Sequence, residues 1–201
     1  MRKALSHLQK ADPVLGGLIR RIGRYAIEYL EPTYETLAKA IVYQQLSGKV
    51  AAVIFDRLAA ATGDGRFTPE AALRLTPARL RALGLSKQKV AYLRDLAQRT
   101  LAGEVDFAAL RRLPDRRVYQ RLTAVKGIGP WTVQMFLIFA LRRPDVLPSA
   151  DLGIRAAVKK AYQLPELPTP AQVEELARPW HPYCTVASWY LWRSLESKAG
   201  M

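Results

Sequence analysis

Apolar residues recur at three- and four-residue intervals along most of the chain, and no stretch shows the alternation that a half-buried strand requires. The pattern predicts an all-α protein. Its first periodic run, Val14, Leu15, Leu18, Ile19, Ile22, Tyr25, Ala26, Tyr29 and Leu30, follows Asp12-Pro13, a capping acid and a proline suited to a first helical turn. One helix reaching almost to Pro32 is expected. Thr33 opens a second, with Leu37, Ile41, Val42 and Leu46 at helical spacing, and Ser47-Gly48 breaks it. A third spans about 49–61, with Val50, Val53, Ile54 and Leu58 as its apolar side.

Beyond the Gly63-Asp64-Gly65 turn, Thr68-Pro69 and Thr76-Pro77 each read as a cap followed by a first-turn proline, so short helices follow. Gly84 ends one helix and Ser86 caps another, whose stripe is Val90, Leu93, Leu96 and Ala97. Lys87, Gln88 and Lys89 fall in its first turn, where cations oppose the helix dipole unless an anion compensates. They are either contacts to a nucleic-acid backbone or a solvated basic face. Asp106 or Pro114 begins the helices that lead into the hairpin, decorated by Arg111, Arg112, Arg116, Arg117 and Arg121. After a proline-rich connector at 164–170, Thr169-Pro170 starts a helix with Val173, Leu176 and Ala177. A last helix, from Pro182 to about Ser197, carries Tyr183, Trp189, Tyr190 and Trp192.

The most informative stretch is 122–155, LTAVKGIGPWTVQMFLIFALRRPDVLPSADLGIR. Gly127 and Gly129 bracket Ile128, and Pro130 stands at the first position of a new helix, which predicts a tight helical hairpin. Its outward amides and the positive helix end form an anion site suited to phosphate. The helix after Trp131 is apolar on nearly every side and is expected in the middle of the domain. Asp151 follows at a helix N-terminus. Its plain reading is an N-cap. Two features argue for more: the acid follows a phosphate-type turn in a basic chain, and Ser149 already offers a capping hydroxyl.

Charge sharpens the picture. Lys and Arg number 31 against 17 Asp and Glu, a formal charge of +14, which points to a polyanionic partner. The single cysteine, Cys184, excludes internal disulfides and a four-cysteine iron–sulfur cluster. With no run of apolar residues able to cross a bilayer and no signal-type N-terminus, a cytoplasmic protein is expected, nucleoid-associated if the source is a bacterium.

The motif VKGIGPWT, an apolar helix and LPSADLGIR resemble the helix-hairpin-helix (HhH-GPD) DNA glycosylases, specifically the 3-methyladenine glycosylase II branch that acts on alkylated bases. The resemblance extends over roughly 33–196. IVYQQLSGKV is similar to the family's IxxQQxS-like DNA-facing junction, and WHPYCTVASWYLWR to its C-terminal signature, with Cys184 where Arg is usual. The resemblance implies an all-α fold of two packed helical lobes with a cleft between them, about 33–113 and about 114–196 plus the N-terminal helix. It implies no N-terminal β-rich domain.

By the same resemblance Asp151 is the catalytic carboxylate, and Trp131, Met135 and Trp192 line the base pocket. Gln44, Gln45, Lys126, Gly127, Gly129 and Thr132 contact DNA, Gln45 as the wedge. The carbonyls of Thr123, Val125 and Ile128 could hold a monovalent cation, no other cofactor being required. Met135 stands where some relatives have tyrosine, and Ala150 replaces an acid that often precedes the catalytic one. Bifunctional members carry Lys at the place of Trp131, whereas Lys126 lies before the glycines, so a monofunctional enzyme is expected.

The implied reaction flips an alkylated purine from duplex DNA and hydrolyses its glycosidic bond, leaving an abasic site. A carboxylate stabilises the oxocarbenium-like sugar and orients water, and aromatic rings stack on the cationic base. The expected enzyme is a monomer whose partner is double-stranded DNA containing alkylated bases. Two alternatives stand beside it: a non-catalytic DNA-binding module in which Asp151 is only a cap, and a glycosylase/lyase using a lysine outside the motif.

Overall fold

A computed structural model of the chain describes residues 1–196, so the expected end of the last helix at Ser197 lies outside the described residues. Thirteen α-helices are present among them, and no β-strand: α1 (Arg2–Ala11), α2 (Pro13–Ile22), α3 (Tyr34–Tyr43), α4 (Gly48–Ala60), α5 (Pro69–Arg74), α6 (Pro77–Ala82), α7 (Lys87–Leu101), α8 (Phe107–Leu110), α9 (Asp115–Thr123), α10 (Pro130–Met135), α11 (Leu152–Ala161), α12 (Pro170–Ala177) and α13 (Cys184–Glu196). The caps read from the sequence form as expected. Asp12, Thr33, Thr68, Thr76, Ser86, Asp106 and Thr169 each accept a first-turn amide, and Thr169 completes a capping box with Gln172. Ser47, expected only as a break, caps α4 as well.

The helices gather into two compact units, Leu30–Phe136 and Met1–Tyr29 together with the chain from Leu137 onward. The units part at 136/137, whereas the resemblance implies lobes of about 33–113 and about 114–196 plus the N-terminal helix. The reason is local: α9 packs on α10 across the glycine turn, so the hairpin stays with α3 to α8.

Within Leu30–Phe136, α7 packs against α3 and α5, with Val90, Leu93, Leu96 and Ala97 all buried as its stripe predicted. In α4 the stripe differs. Ala51, Ile54, Phe55 and Leu58 face the core, whereas Val50 and Val53 are each 49% exposed. Ile54 and Leu58 of the expected stripe are thus buried, while Ala51 and Phe55 take the places expected for Val50 and Val53. The preceding helix also stops at Tyr43 rather than Leu46, because Gln45 takes a left-handed φ of 57°.

In the other unit, α13 is buried on almost every side and packs on α2 and α11. α1, unforeseen in the sequence, packs on α2 through Ala4 and Leu8. The helix expected to run to Pro32 ends at Ile22, because Gly23 adopts φ 81°. Tyr25 and Ile27 instead lie in irregular chain packed on the α13 core. Asp12 does more than cap α2: its buried carboxylate also accepts from Trp180 Nε1 at 2.7 Å and from the Tyr162 hydroxyl, satisfying a charge that would otherwise be costly to bury.

Candidate active site

The hairpin lies in the Leu30–Phe136 unit. α9 ends at Thr123, Ile128 donates to the Val125 carbonyl at 3.1 Å, and Gly127 takes φ 80°. Only Gly127 uses the left-handed freedom that the sequence reading gave to both glycines. A Cβ there would also sit 2.1 Å from the Tyr92 ring, so the close approach of α7 adds a second demand. Gly129, at φ −93°, is ordinary extended backbone, and a Cβ on it would meet nothing within 4 Å. The protein itself does not require glycine at 129. Open space before an uncapped helix suits the approach of an external anion.

Several expected DNA contacts have internal duties. Gln44 Nε2 donates to the Gly127 carbonyl at 2.8 Å and ties the α3–α4 junction to the turn. Gln45 is exposed on its left-handed residue, as a wedge would need to be. The Lys126 side chain is exposed, while its amide donates to Asp95 Oδ2 at 2.9 Å. Thr132 is 6% exposed and so offers little surface for contact. Lys89 is likewise absorbed: Nζ donates to the carbonyls of Val42 and Gln44, each at 2.7 Å, closing the end of α3. Burial lowers its pKa. Lys89 is thus neither the nucleic-acid contact nor the solvated basic residue that its place in the sequence suggests.

Trp131 is 50% exposed on the first turn of α10. Met135, half-buried, closes that helix, after which the chain winds into a π-helical turn over Phe136–Ala140 in place of the continuous α-helix expected. Such turns occur often at functional sites. Thr123 is exposed, with its hydroxyl on the Tyr119 carbonyl at 2.7 Å, whereas Val125 and Ile128 are buried.

Asp151 belongs to the other unit. It is the N-cap of α11, Oδ1 accepting from Ile154 N at 2.9 Å. The same oxygen accepts from Trp192 Nε1 at 3.0 Å. Ser149, the cap offered by the sequence, instead donates to Glu174 Oε1 at 2.7 Å. Capping occupies only part of this side chain: one carboxylate oxygen is fixed by a helix amide and by an indole from α13.

Trp192 stacks on Phe139 at 6.0 Å with 25° between the rings. Expected as a pocket wall, it serves first as a donor that aims the acid. Gly153 makes room for this pair, since a Cβ there would lie 3.0 Å from Asp151 Oδ1 and 3.3 Å from Trp192 Nε1. Neither Phe139 nor Gly153 stood out in the sequence. The one cue was a glycine just inside a helix start, where it lowers helix propensity.

These observations define an all-helical protein with a glycine-turned hairpin and a separately anchored carboxylate. The chain belongs to the HhH-GPD superfamily of base excision DNA repair proteins, whose pattern matches residues 38–182. It is 37% identical over 200 residues to DNA-3-methyladenine glycosylase 1 of Schizosaccharomyces pombe, covering 96% of this chain and 87% of that one. It is 35% identical to the putative DNA-3-methyladenine glycosylase YfjP of Bacillus subtilis, covering 81% of this chain and 59% of that one. Among solved structures, S. pombe Mag1 in complex with abasic DNA matches with a TM-score of 0.86, covering 96% of this chain and 97% of that one. A DNA-3-methyladenine glycosidase from Bacillus halodurans matches with the same TM-score at 34% identity, covering 94% and 86%. The enzyme class is a DNA glycosylase of base excision repair, an N-glycosyl hydrolase.

Proposed function

We propose that the enzyme extrudes alkylated purines of the 3-methyladenine and 7-methylguanine type from duplex DNA, hydrolyses the base–sugar bond and leaves an abasic site without cutting the strand. The observation that carries this reading is the Asp151–Trp192 hydrogen bond at 3.0 Å. A carboxylate held in direction by two donors on Oδ1 is prepared for the positive charge that develops on the sugar as the base departs. It needs no reorganisation at that moment. The same acid orients the water that attacks the anomeric carbon, as the second carboxyl of a glycosidase does.

Ring-nitrogen alkylation makes the base a cation, and the exposed indole of Trp131 gives such a base a stacking face worth about 0.5–2 kcal/mol. Gly129 and the uncapped start of α10 are suited to a DNA phosphate, and exposed Gln45 to the gap left by the extruded nucleotide. Trp at 131 in place of a nucleophilic lysine supports the monofunctional mode. Thr123 closes α9, whose last carbonyls have no intrahelical donors, and Val125 and Ile128 follow in the turn. Their carbonyls are assigned here to a monovalent cation that would add positive charge beside the phosphate. Among the described residues no helix is long and apolar enough to cross a membrane. The working form is a monomer acting where the cell keeps its DNA, at the nucleoid if the source is a bacterium.

Incubation with N-methylated duplex DNA tests the reading. Free methylpurine should appear while the strand stays intact until alkali is added, and borohydride should trap no covalent adduct. No released base would defeat the assignment, and a trapped adduct would defeat the monofunctional mode.

A further inference from the structure

We propose that Asp145, His181 and Cys184 form a binding site for a thiolate-preferring divalent cation of the zinc class, which fastens the loop ahead of Asp151 to the first turn of α13. The three side chains offer one oxygen, one nitrogen and one sulfur, all within 4.8 Å of one another. They come together from the loop after the π-helical turn and from the bend that leads into α13, 36 and 39 residues apart along the chain. His181 Nδ1 lies 2.8 Å from Asp145 Oδ2 and 3.6 Å from Cys184 Sγ.

This donor set is the one zinc takes, and its usual bond lengths put tetrahedral ligands about 3.3–3.8 Å apart. The sulfur–nitrogen distance already meets that, and the oxygen–nitrogen contact needs to open by roughly 0.5–1 Å. A fourth position falls to water, as in sites with three protein ligands. The surrounding backbone holds the ligands in place beforehand. Thr185 Oγ1 donates to the Arg143 carbonyl at 2.7 Å and accepts from Val146 N at 3.1 Å, while Thr185 N donates to the Pro144 carbonyl at 3.1 Å. Residues on both sides of Asp145 are therefore strapped to the residue after Cys184.

Access and charge agree with this assignment. The His181 side chain is 53% exposed, so a cation enters from its side and meets the buried sulfur behind it. One carboxylate and one thiolate neutralise a divalent ion. On binding, the thiol proton leaves to solvent and the imidazole proton sits on Nε2, freeing Nδ1 as a ligand. The cation would join two segments that hold the Asp151–Trp192 pair, since α11 follows the loop and α13 carries the indole.

The test uses the full chain, stripped by chelator under reducing conditions and titrated with Co²⁺ alone. One ion per chain, a thiolate-to-cobalt charge-transfer absorption and its displacement by one equivalent of Zn²⁺ are expected. Cys184→Ser should abolish that absorption. Because Cys184 is buried, His181→Gln at the exposed ligand provides the second variant, and should weaken Co²⁺ binding by at least about tenfold. Zn²⁺ should raise the melting temperature of the wild type and leave that of His181→Gln unmoved. Absence of the charge-transfer absorption, or equal Co²⁺ affinity and equal Zn²⁺-induced melting shifts in wild type and His181→Gln, would overturn the proposal and leave Asp145 as a simple cap of α13 paired with His181.

Discussion

Replacing Trp192 by Phe removes the Nε1 donor, 3.0 Å from Asp151 Oδ1, together with part of the ring area that packs on the core. A phenyl ring still faces Phe139 but offers no hydrogen bond to the acid. A hydrogen bond to a charged acceptor is worth about 1.5–3 kcal/mol, and at about 1.36 kcal/mol per decade that is roughly a 10- to 150-fold effect. Asp151 and Trp192 are both only half-buried, so water takes over part of the donor's place and the lower end is expected, about 10- to 30-fold. The loss should fall on the rate of the chemical step, because the bond aims the carboxylate. Single-turnover release of methylpurine from alkylated duplex at saturating enzyme measures that step, and its dependence on enzyme concentration measures binding. An unchanged rate with weakened binding would refute the reasoning and return Trp192 to the role of a pocket wall.

Gly127→Ala meets a left-handed φ and the Tyr92 ring, so a loss of roughly 2–5 kcal/mol, on the order of 5–15 °C in melting temperature, should appear by calorimetry. Gly129→Ala meets neither and should melt like wild type, yet bind abasic-site duplex more weakly; unchanged affinity would remove the phosphate from that turn. Gly153→Ala pushes a methyl against Asp151 and Trp192 and should slow base release while leaving duplex affinity in place. Stability should also fall with rising alkalinity. Burial raises the pKa of Cys184 above its ordinary 9.0 and those of Tyr25, Tyr34 and Tyr162 above 10.0, so the unfolded chain gives up these protons first. Their contribution is fully present below about pH 9 and is lost as pH rises through the unfolded and toward the folded values. Melting curves between pH 8 and about pH 11 would check the sign.

How much of this was legible depended on the reach of each interaction. Caps are local, so Thr68, Thr76, Ser86 and Thr169 announced their helices, and α7 showed its buried stripe through four regularly spaced residues. Asp151 was legible as a helix-start acid, but its second donor lies 41 residues away and no spacing rule reaches that far. The errors share a cause. Lys89 in a first turn looked like a surface cation until α3 brought two carbonyls to its ammonium. Val50 and Val53 looked buried because hydrophobicity was read without knowing that α3 packs on the other side of α4. The Asp145, His181 and Cys184 cluster was invisible for the same reason, a lone cysteine gaining meaning only from neighbours that folding supplies.

The most direct measurement of the central claim is base release by Asp151→Asn. Asparagine caps a helix as well as aspartate does, so α11 and the melting temperature should be preserved. The rate of methylpurine release from alkylated duplex should drop by about 10²–10⁴ with DNA binding retained. A folded Asp151→Asn variant that releases base at the wild-type rate would contradict the account.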